Sequence, residues 1–241
     1  MALIPQLVPQ LADTRESLHA VAEHVLTAAR YRSAGRIGLE VASGGFATPP
    51  FGDDVRIIAV DGTELVLRAG PLERRRALST LRAAGELAGI DPGMPYTVYT
   101  PATPLDLDAP LTVDAEAARR LADWYALGDA ALRQLAAEIG EDQPSGVTLW
   151  PEHLDVAIRA AEVNYGASPG DAVVSQPYLY VGPMPLDPAE GDPFWNQPFG
   201  AAMIWDSIAS VQDAVGFFLQ GREHARAAAG GGNRTAPASN R

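Results

Sequence analysis

Apolar residues recur every three or four positions in four stretches of the chain, which is the spacing of one helical face. The predicted helices run from Asp13 to Arg32, Leu72 to Ala88, Asp114 to Ile139, and Asp206 to about Ala229. A glycine follows closely after each of the first three, as is common where a helix ends. We therefore expect two helices in each half of the chain.

Alternating apolar and polar residues predict half-buried strands between these helices. The segments are Arg36 to Ala42, Val55 to Val60, Glu64 to Arg68, Val147 to Trp150, His153 to Val163, Tyr178 to Val181, and Phe199 to Trp205. Asp61-Gly62 is the strongest hairpin signal in the chain. Strands and helices in this order predict an α+β fold, with mainly antiparallel β-sheet and flanking helices.

A proline-rich stretch, residues 91–113, predicts an irregular connection between two halves. The first half is then 1–90, the second is 114–228, and 229–241 is a disordered tail; the halves could also fold as one domain. The loops GGFATPPFGD and YGASPGD share an aromatic residue, a hydroxyl, a proline and Gly-Asp. This similarity supports a hypothesis of internal duplication, with an α-β-β-β-α plan in each half. The alternative is that these residues simply dominate loops in general.

Charge and composition exclude several classes of function. Thirty acidic residues against 18 basic ones give a net charge of -12, which disfavours binding to nucleic acid or to anionic membranes. The chain has no cysteine and no lysine, so thiolate sites, Schiff bases and Walker A phosphate loops are excluded. The N-terminal sequence MALIPQLVPQL lacks a basic region and contains two prolines, which predicts a soluble, acidic, cytoplasmic protein.

The segment from Trp150 to Asp171 carries the most candidate chemistry. His153 and Asp155 are two residues apart, so on a strand both side chains point to the same face. A histidine beside a carboxylate can act as an oriented general base. The pair also resembles part of an H-x-D…H iron site, but the downstream His224 falls near the end of a helix. We therefore predict no metal and no cofactor.

Gly166 to Gly170 has the G-x-S-x-G spacing of a serine nucleophile. The residue after Ser168 is Pro169, which has no backbone N–H to donate to an oxyanion. No helical pattern follows the serine. We therefore interpret this segment as a tight loop.

Polar residues lie on one face of each predicted sheet. Arg36 and Glu40 share a face in the first half, and Arg159 shares one with His153 and Asp155 in the second. A solvated sheet face explains this pattern without any function. The alternative is a ligand cleft in which the arginines hold a carboxylate or phosphate. The candidate ligand-binding residues are then Arg36, Glu40, Phe46, Arg159, Tyr165, Ser168 and Asp171.

Several segments resemble a family of proteins from high-GC Gram-positive (actinobacterial) bacteria, known as a domain of unknown function. They are WPEHLDVAI, VNYGASPGD, PYLYVGP, DPFWNQPFGA and GGFATPPFG, and the resemblance extends to about Gly221. It implies an α+β fold but no activity, substrate or catalytic residue.

Two classes of function stay open. The first is a non-enzymatic module that binds a small molecule or a protein through one sheet face and the Gly/Pro-rich loops. The second is an enzyme acting on a small anionic substrate, with His153 as general base and Asp155 orienting it. We favour the first, because the sequence offers a single plausible catalytic histidine.

Overall fold

A helix, five antiparallel strands and a second helix follow one another twice along the chain. The computed structural model describes residues 10–185 and 191–231. Its architecture is α+β, with two antiparallel sheets and flanking helices, as the sequence predicts. None of the helices in these ranges is both long and apolar enough to cross a membrane.

The first half begins with one continuous helix made of three segments: α1 (Leu11–Val21), a π-helical segment (Ala22–Thr27) and α2 (Ala28–Ala34). Its remaining elements are β1 (Glu40–Ala42), β2 (Gly45–Ala47), β3 (Arg56–Asp61), β4 (Glu64–Ala69), β5 (Leu72–Ala77) and α3 (Leu81–Ala88). The second half contains α4 (Ala115–Glu138), β6 (Thr148–Trp150), β7 (Asp155–Ala160), β8 (Val163–Ser168), β9 (Tyr178–Pro183), β10 (Ala201–Ile204) and α5 (Val211–Gly231).

Each sheet is a meander in which every strand pairs with the next one along the chain. The hairpin predicted at Asp61-Gly62 is confirmed: Asp61 pairs with Glu64, and Gly62 has the positive φ (61°) that this tight turn requires. The two sheets meet edge to edge where Leu39, just before β1, pairs with Leu149 of β6. There the amides of Leu39 and Leu149 donate to each other's carbonyls at 2.8 and 2.9 Å.

One hydrophobic core runs through both halves. The helix α4 packs against strands of both sheets, and it lies so close to β8 that a Cβ atom on Gly128 would be 2.6 Å from that of Ala167. Tyr125 of α4 packs edge-on against Phe46 of β2, with ring centroids 6.2 Å apart. Phe46 is fully buried in this contact, so its predicted role in ligand binding is replaced by a role in packing.

Residues 91–113 form an irregular connection, and a buried carboxylate holds it against the N-terminal helix. Glu23, in the π-helical segment, accepts hydrogen bonds from the amides of Ala102 and Thr103, both at 2.9 Å, and from the Thr103 hydroxyl. The neighbouring His24 lies 3.0 Å, through Nε2, from the Thr103 carbonyl oxygen. These bonds satisfy backbone groups in a segment that itself forms neither a helix nor a strand.

Two predicted elements are wrong. The helix expected from Leu72 to Ala88 is an exposed edge strand, β5, followed by the short helix α3. Thr80 caps that helix by accepting the Ala83 amide at 3.1 Å. The strand expected from His153 to Val163 is a hairpin, because Ala161 and Glu162 turn the chain with φ angles of 44° and 64°.

The plan of each half also differs from the prediction, since each sheet has five strands rather than three. The two loops compared in the sequence occupy different places in this order. The first follows β2 and the second follows β8, the third strand of its sheet. Internal duplication therefore rests on the shared order of elements and stays a hypothesis. Of the tail predicted to be disordered, residues 229–231 belong to α5, and 232–241 lie outside the described residues.

We expect the substitution Glu23→Gln to lower the free energy of unfolding by about 3 kcal/mol, because the amide NH₂ cannot accept from the donors that face the carboxylate. Urea unfolding followed by circular dichroism measures this change. Glu223→Gln, at an exposed position of α5, is the control and should cost less than about 0.5 kcal/mol. Equal unfolding midpoints for the two variants would contradict a role for Glu23 in anchoring the connection.

Candidate functional site

Three concavities meet at His153: two lie on the face of the second sheet opposite α4 and α5, and one borders the N-terminal helix. One lies over β7, β8 and β9 and encloses about 440 Å³. A second, of about 380 Å³, lies between α1 and the loop after β8. The third, of about 320 Å³, lies beside β6 and β7. We call them together the His153 cleft.

The cleft is organised by a tyrosine that reaches across a neighbouring strand. Tyr180 of β9 pairs with Gly166 of β8, which in turn pairs with Ala157 of β7. A Cβ atom on Gly166 would be 2.5 Å from Cε1 of Tyr180, so only glycine leaves room for the ring. The Tyr180 hydroxyl thereby reaches β7 and donates a hydrogen bond to Oδ2 of Asp155. Gly166, the first glycine of the G-x-S-x-G segment, is therefore explained by the packing of Tyr180 and not by a serine nucleophile.

Asp155 is a buried carboxyl group with one of its oxygens unsatisfied. It is 5% exposed, and among the described residues its Oδ1 atom has no hydrogen-bond partner. Burial raises the pKa of Asp155 above its usual value, although the hydrogen bond from Tyr180 and the charge of His153 act in the opposite direction. Burial and the nearby Asp155 also raise the pKa of Tyr180 well above its usual value. The environment thus favours the neutral carboxyl more than water does.

A second tyrosine–aspartate pair lies beside the first. The Tyr178 hydroxyl donates to Oδ2 of Asp171 at 2.6 Å, and the two tyrosine rings are 6.2 Å apart. Oδ1 of Asp171 accepts from the amides of Val173 and Val174 at 2.7 and 2.9 Å. Asp171 therefore fixes the loop after β8 and presents Tyr178 to the cleft.

Ser168 also stabilises this loop. It is 4% exposed, and its hydroxyl oxygen accepts the Gly170 amide at 3.1 Å. Its carbonyl accepts from the indole N–H of Trp124 at 2.8 Å. The serine lines the cleft and is the last residue of β8, so the loop expected over Gly166–Gly170 begins only after it, and these contacts give Ser168 a structural role.

The N-terminal helix completes the second concavity. Arg15 donates to the Ser175 carbonyl at 3.1 Å. Gly170 (φ 97°) permits this approach, because a Cβ atom there would be 2.7 Å from the guanidinium. Nε2 of His19 lies 2.7 Å from the Pro151 carbonyl oxygen. Burial lowers the pKa of His19, and the charge of Glu23 only partly offsets this effect.

The structure brings together all the candidates from the second half except Tyr165 and separates them from those of the first half. The residues that line the cleft are His153, Asp155, Arg159, Ser168 and Asp171. Arg36 and Glu40 are exposed near β1 and line none of its three concavities. Tyr165 is 1% exposed and packs edge-on against Phe218 on the helix side of the sheet, so a ligand in the cleft does not reach it.

The expected catalytic arrangements are not formed by the described residues. Asp155 bonds to Tyr180 and makes no hydrogen bond to His153. His224 stacks on Phe194 and lies 2.6 Å, through Nδ1, from Oδ2 of Asp192, outside the cleft. In residues 10–185 and 191–231, no group of three or more His, Asp or Glu side chains is arranged to hold a metal ion.

Sequence reasoning missed many residues of the cleft, among them Arg15, His19, Glu152, Asn164, Tyr178 and Tyr180. The spacing of Tyr178 and Tyr180 is a usable signal, because residues two apart on a strand share a face. Their partner strands are not visible in the sequence alone.

Comparisons with known proteins add no constraint: no protein-family model, no curated protein and no solved structure matches this chain. The resemblance to an actinobacterial family therefore stays a prediction.

We expect Gly166→Ala to lower the free energy of unfolding by about 1–3 kcal/mol, because the added methyl group overlaps the Tyr180 ring. Gly146→Ala is the matched control, since a Cβ atom there meets nothing within 4 Å. Urea unfolding measures both. In a Tyr180→Ala background the cost of Gly166→Ala should largely disappear. An unchanged cost would show that the overlap with Tyr180 is not its cause.

The raised pKa of Asp155 predicts a specific dependence of stability on pH. Below pH ~4 the carboxyl is protonated in both the folded and the unfolded chain and contributes no difference. As the pH rises, the unfolded chain ionises first, so the wild type loses stability until the pH passes the folded pKa. Asp155→Asn cannot ionise and should gain stability relative to the wild type over this range.

Urea unfolding of both proteins at successive pH values from 4 to 8 measures that difference. The same series for Asp53→Asn, in an exposed loop, supplies the background against which the trend is read. A difference that does not change with pH would contradict the raised pKa of Asp155.

Proposed function

We propose that this protein is a non-enzymatic module that binds a small molecule in the His153 cleft. The observation that carries the proposal is the unpaired Oδ1 atom of Asp155. Buried polar atoms in folded proteins nearly always have a hydrogen-bond partner, and leaving one without a partner costs about 1–3 kcal/mol. A ligand that donates to this oxygen would recover that energy on binding.

The size and lining of the cleft support a small ligand. Its largest concavity, about 440 Å³, falls in the range typical of ligand pockets. Aromatic rings of Tyr178, Tyr180 and Phe199 line it together with the polar side chains of Asp155 and Asn164. A mainly apolar wall with a few convergent polar groups is the usual composition of such sites.

The cleft is also held in place before any ligand binds. Hydrogen bonds fix Tyr178, Tyr180 and the loop at Asp171, and Arg15 ties that loop to α1. Groups that are already ordered lose little conformational entropy on binding. This preorganisation favours a specific ligand over nonspecific adhesion to an exposed sheet face.

The enzyme alternative has less support. A general base needs a group that orients it, and the described hydrogen bond of Asp155 goes to Tyr180. Arg159, expected to hold an anionic substrate, is paired with Glu162. A cytoplasmic location and the absence of nucleic-acid or membrane partners stay predictions from the sequence.

The proposal is tested by screening cationic, neutral and anionic small molecules against the ¹⁵N-labelled protein by NMR. We expect at least one compound to bind in a saturable manner and to shift the amides of Asn164, Tyr180 and Gly182, which surround the cleft. It should also raise the melting temperature, because a ligand of the native state stabilises that state.

Asp155→Asn should weaken the hit at least tenfold, whereas Asp206→Asn, at an exposed position, should leave its affinity unchanged. A screen without hits would contradict the proposal. Hits whose shifts map instead to the separate cavity between α5 and the β8–β9 pair would contradict it as well.

A further inference from the structure

Two carboxylates with unsatisfied oxygens line the same concavity of the His153 cleft. Among the described residues, neither Oε2 of Glu152 nor Oδ1 of Asp155 has a hydrogen-bond partner, and both atoms are buried. The concavity of about 320 Å³ beside β6 and β7 is lined by both residues. A ligand that supplies N–H or O–H groups would satisfy two such oxygens.

Aromatic rings surround these acceptors. Trp150 is 40% exposed and lines the same concavity as Tyr180. In the adjoining concavity, Tyr178 and Phe199 have ring centroids 5.7 Å apart, and Tyr180 lies within 6.4 Å of both. The face of an aromatic ring is electronegative and attracts organic cations. Rings cannot replace the water ligands of a metal ion, so this lining suits an alkylammonium group better than a metal.

The arginines that border the cleft are already engaged. Arg15 donates to backbone carbonyls, and Arg159 is paired with Glu162. His19 has a lowered pKa, which favours its neutral form. Glu16 and Asp171 add further negative charge to the second concavity. An anionic ligand, which the sequence favoured for the enzyme alternative, would therefore meet mostly acidic groups.

We propose that the ligand is a protonated primary or secondary amine whose N–H groups donate to Glu152 and Asp155 and whose hydrocarbon part lies against the neighbouring rings. This inference rests on the proposed function and names its ligand class. The N–H groups satisfy the two unpaired oxygens, the charge matches the acidic surroundings, and the rings cover the apolar part. No single one of these observations would select an amine, but an amine answers all three.

Four probes of similar shape separate charge from hydrogen-bond donation. Benzylamine is a cation with N–H groups at neutral pH, benzyltrimethylammonium is a cation without them, benzyl alcohol is neutral, and benzoate is an anion. NMR titration of the full-length protein at pH 7 gives a Kd for each. We expect benzylamine to bind at least tenfold more tightly than benzyl alcohol or benzyltrimethylammonium, and benzoate to show no saturation.

Matched variants place the amine at the two carboxylates. Glu152→Gln should weaken benzylamine at least fivefold and Asp155→Asn at least tenfold, both should leave benzyl alcohol within twofold, and Glu64→Gln should change neither. The ¹⁵N spectra of the variants show whether they are folded, and Glu152 is the less buried of the two, so at least one variant remains informative.

Several outcomes would overturn the amine. They are equal affinities for benzylamine and benzyl alcohol, equal affinities for the primary and quaternary cations, or binding unaffected by both carboxylate substitutions. If a neutral or anionic compound from the screen instead binds in the cleft, the ligand class is wrong and the binding function stands. If nothing binds there, both proposals fail.

Discussion

The hydrogen bond from Tyr180 to Asp155 is the interaction on which the candidate site depends. It links the outer strands of a three-strand group, β7 to β9, and it exists because Gly166 leaves the middle strand bare at the crossing point. The bond holds one oxygen of a buried carboxyl group and leaves the other unpaired. The carboxyl group is therefore held in place with only one of its two oxygens hydrogen-bonded, and the unpaired oxygen is the physical basis for expecting a ligand.

The first half of the chain also takes part in this site. Arg15 and His19 belong to the N-terminal helix, yet their hydrogen bonds go to Ser175 and Pro151 in the second half. The same helix holds residues 91–113 through the buried Glu23. Because the hydrophobic core is continuous, a substitution that destabilises this helix should also alter the structure of the cleft. The proline-rich connection is thus fixed to the helix that borders the site and is not a loose spacer between the halves.

The sequence is sufficient for the features that depend on local chemistry. Helical periodicity and the Asp61-Gly62 turn are local, and so is the closeness of His153 and Asp155. Features that depend on tertiary pairing are not accessible in this way. The turn at Ala161 and Glu162 contains no glycine or asparagine to mark it, and Tyr180 meets Asp155 only through the register of three strands. The alternation of a strand shows which residues share a face of the sheet. It does not show which face the helices cover, because that depends on the tertiary fold, and Phe46 and Tyr165 lie on the covered face as core residues.

On the outer face of the first sheet, side chains of the chain itself cover the apolar residues and pair with the carboxylates. Ala47, Ala59 and Val66 form a small separate apolar cluster there, and the register places Arg75 opposite Val66. The hydrocarbon stem of an arginine can cover apolar surface while its guanidinium pairs with carboxylates, here with Asp61 at 2.8 Å among others. The acidic groups on this face therefore have a cationic partner within the chain. The second sheet has aromatic rings and carboxylates on its outer face, but Glu152 and Asp155 there have oxygens without such a partner. The two sheets thus share one order of strands and differ on their outer faces: an arginine of the chain pairs with the carboxylates on the first, and two carboxyl oxygens at the second have no partner among the described residues.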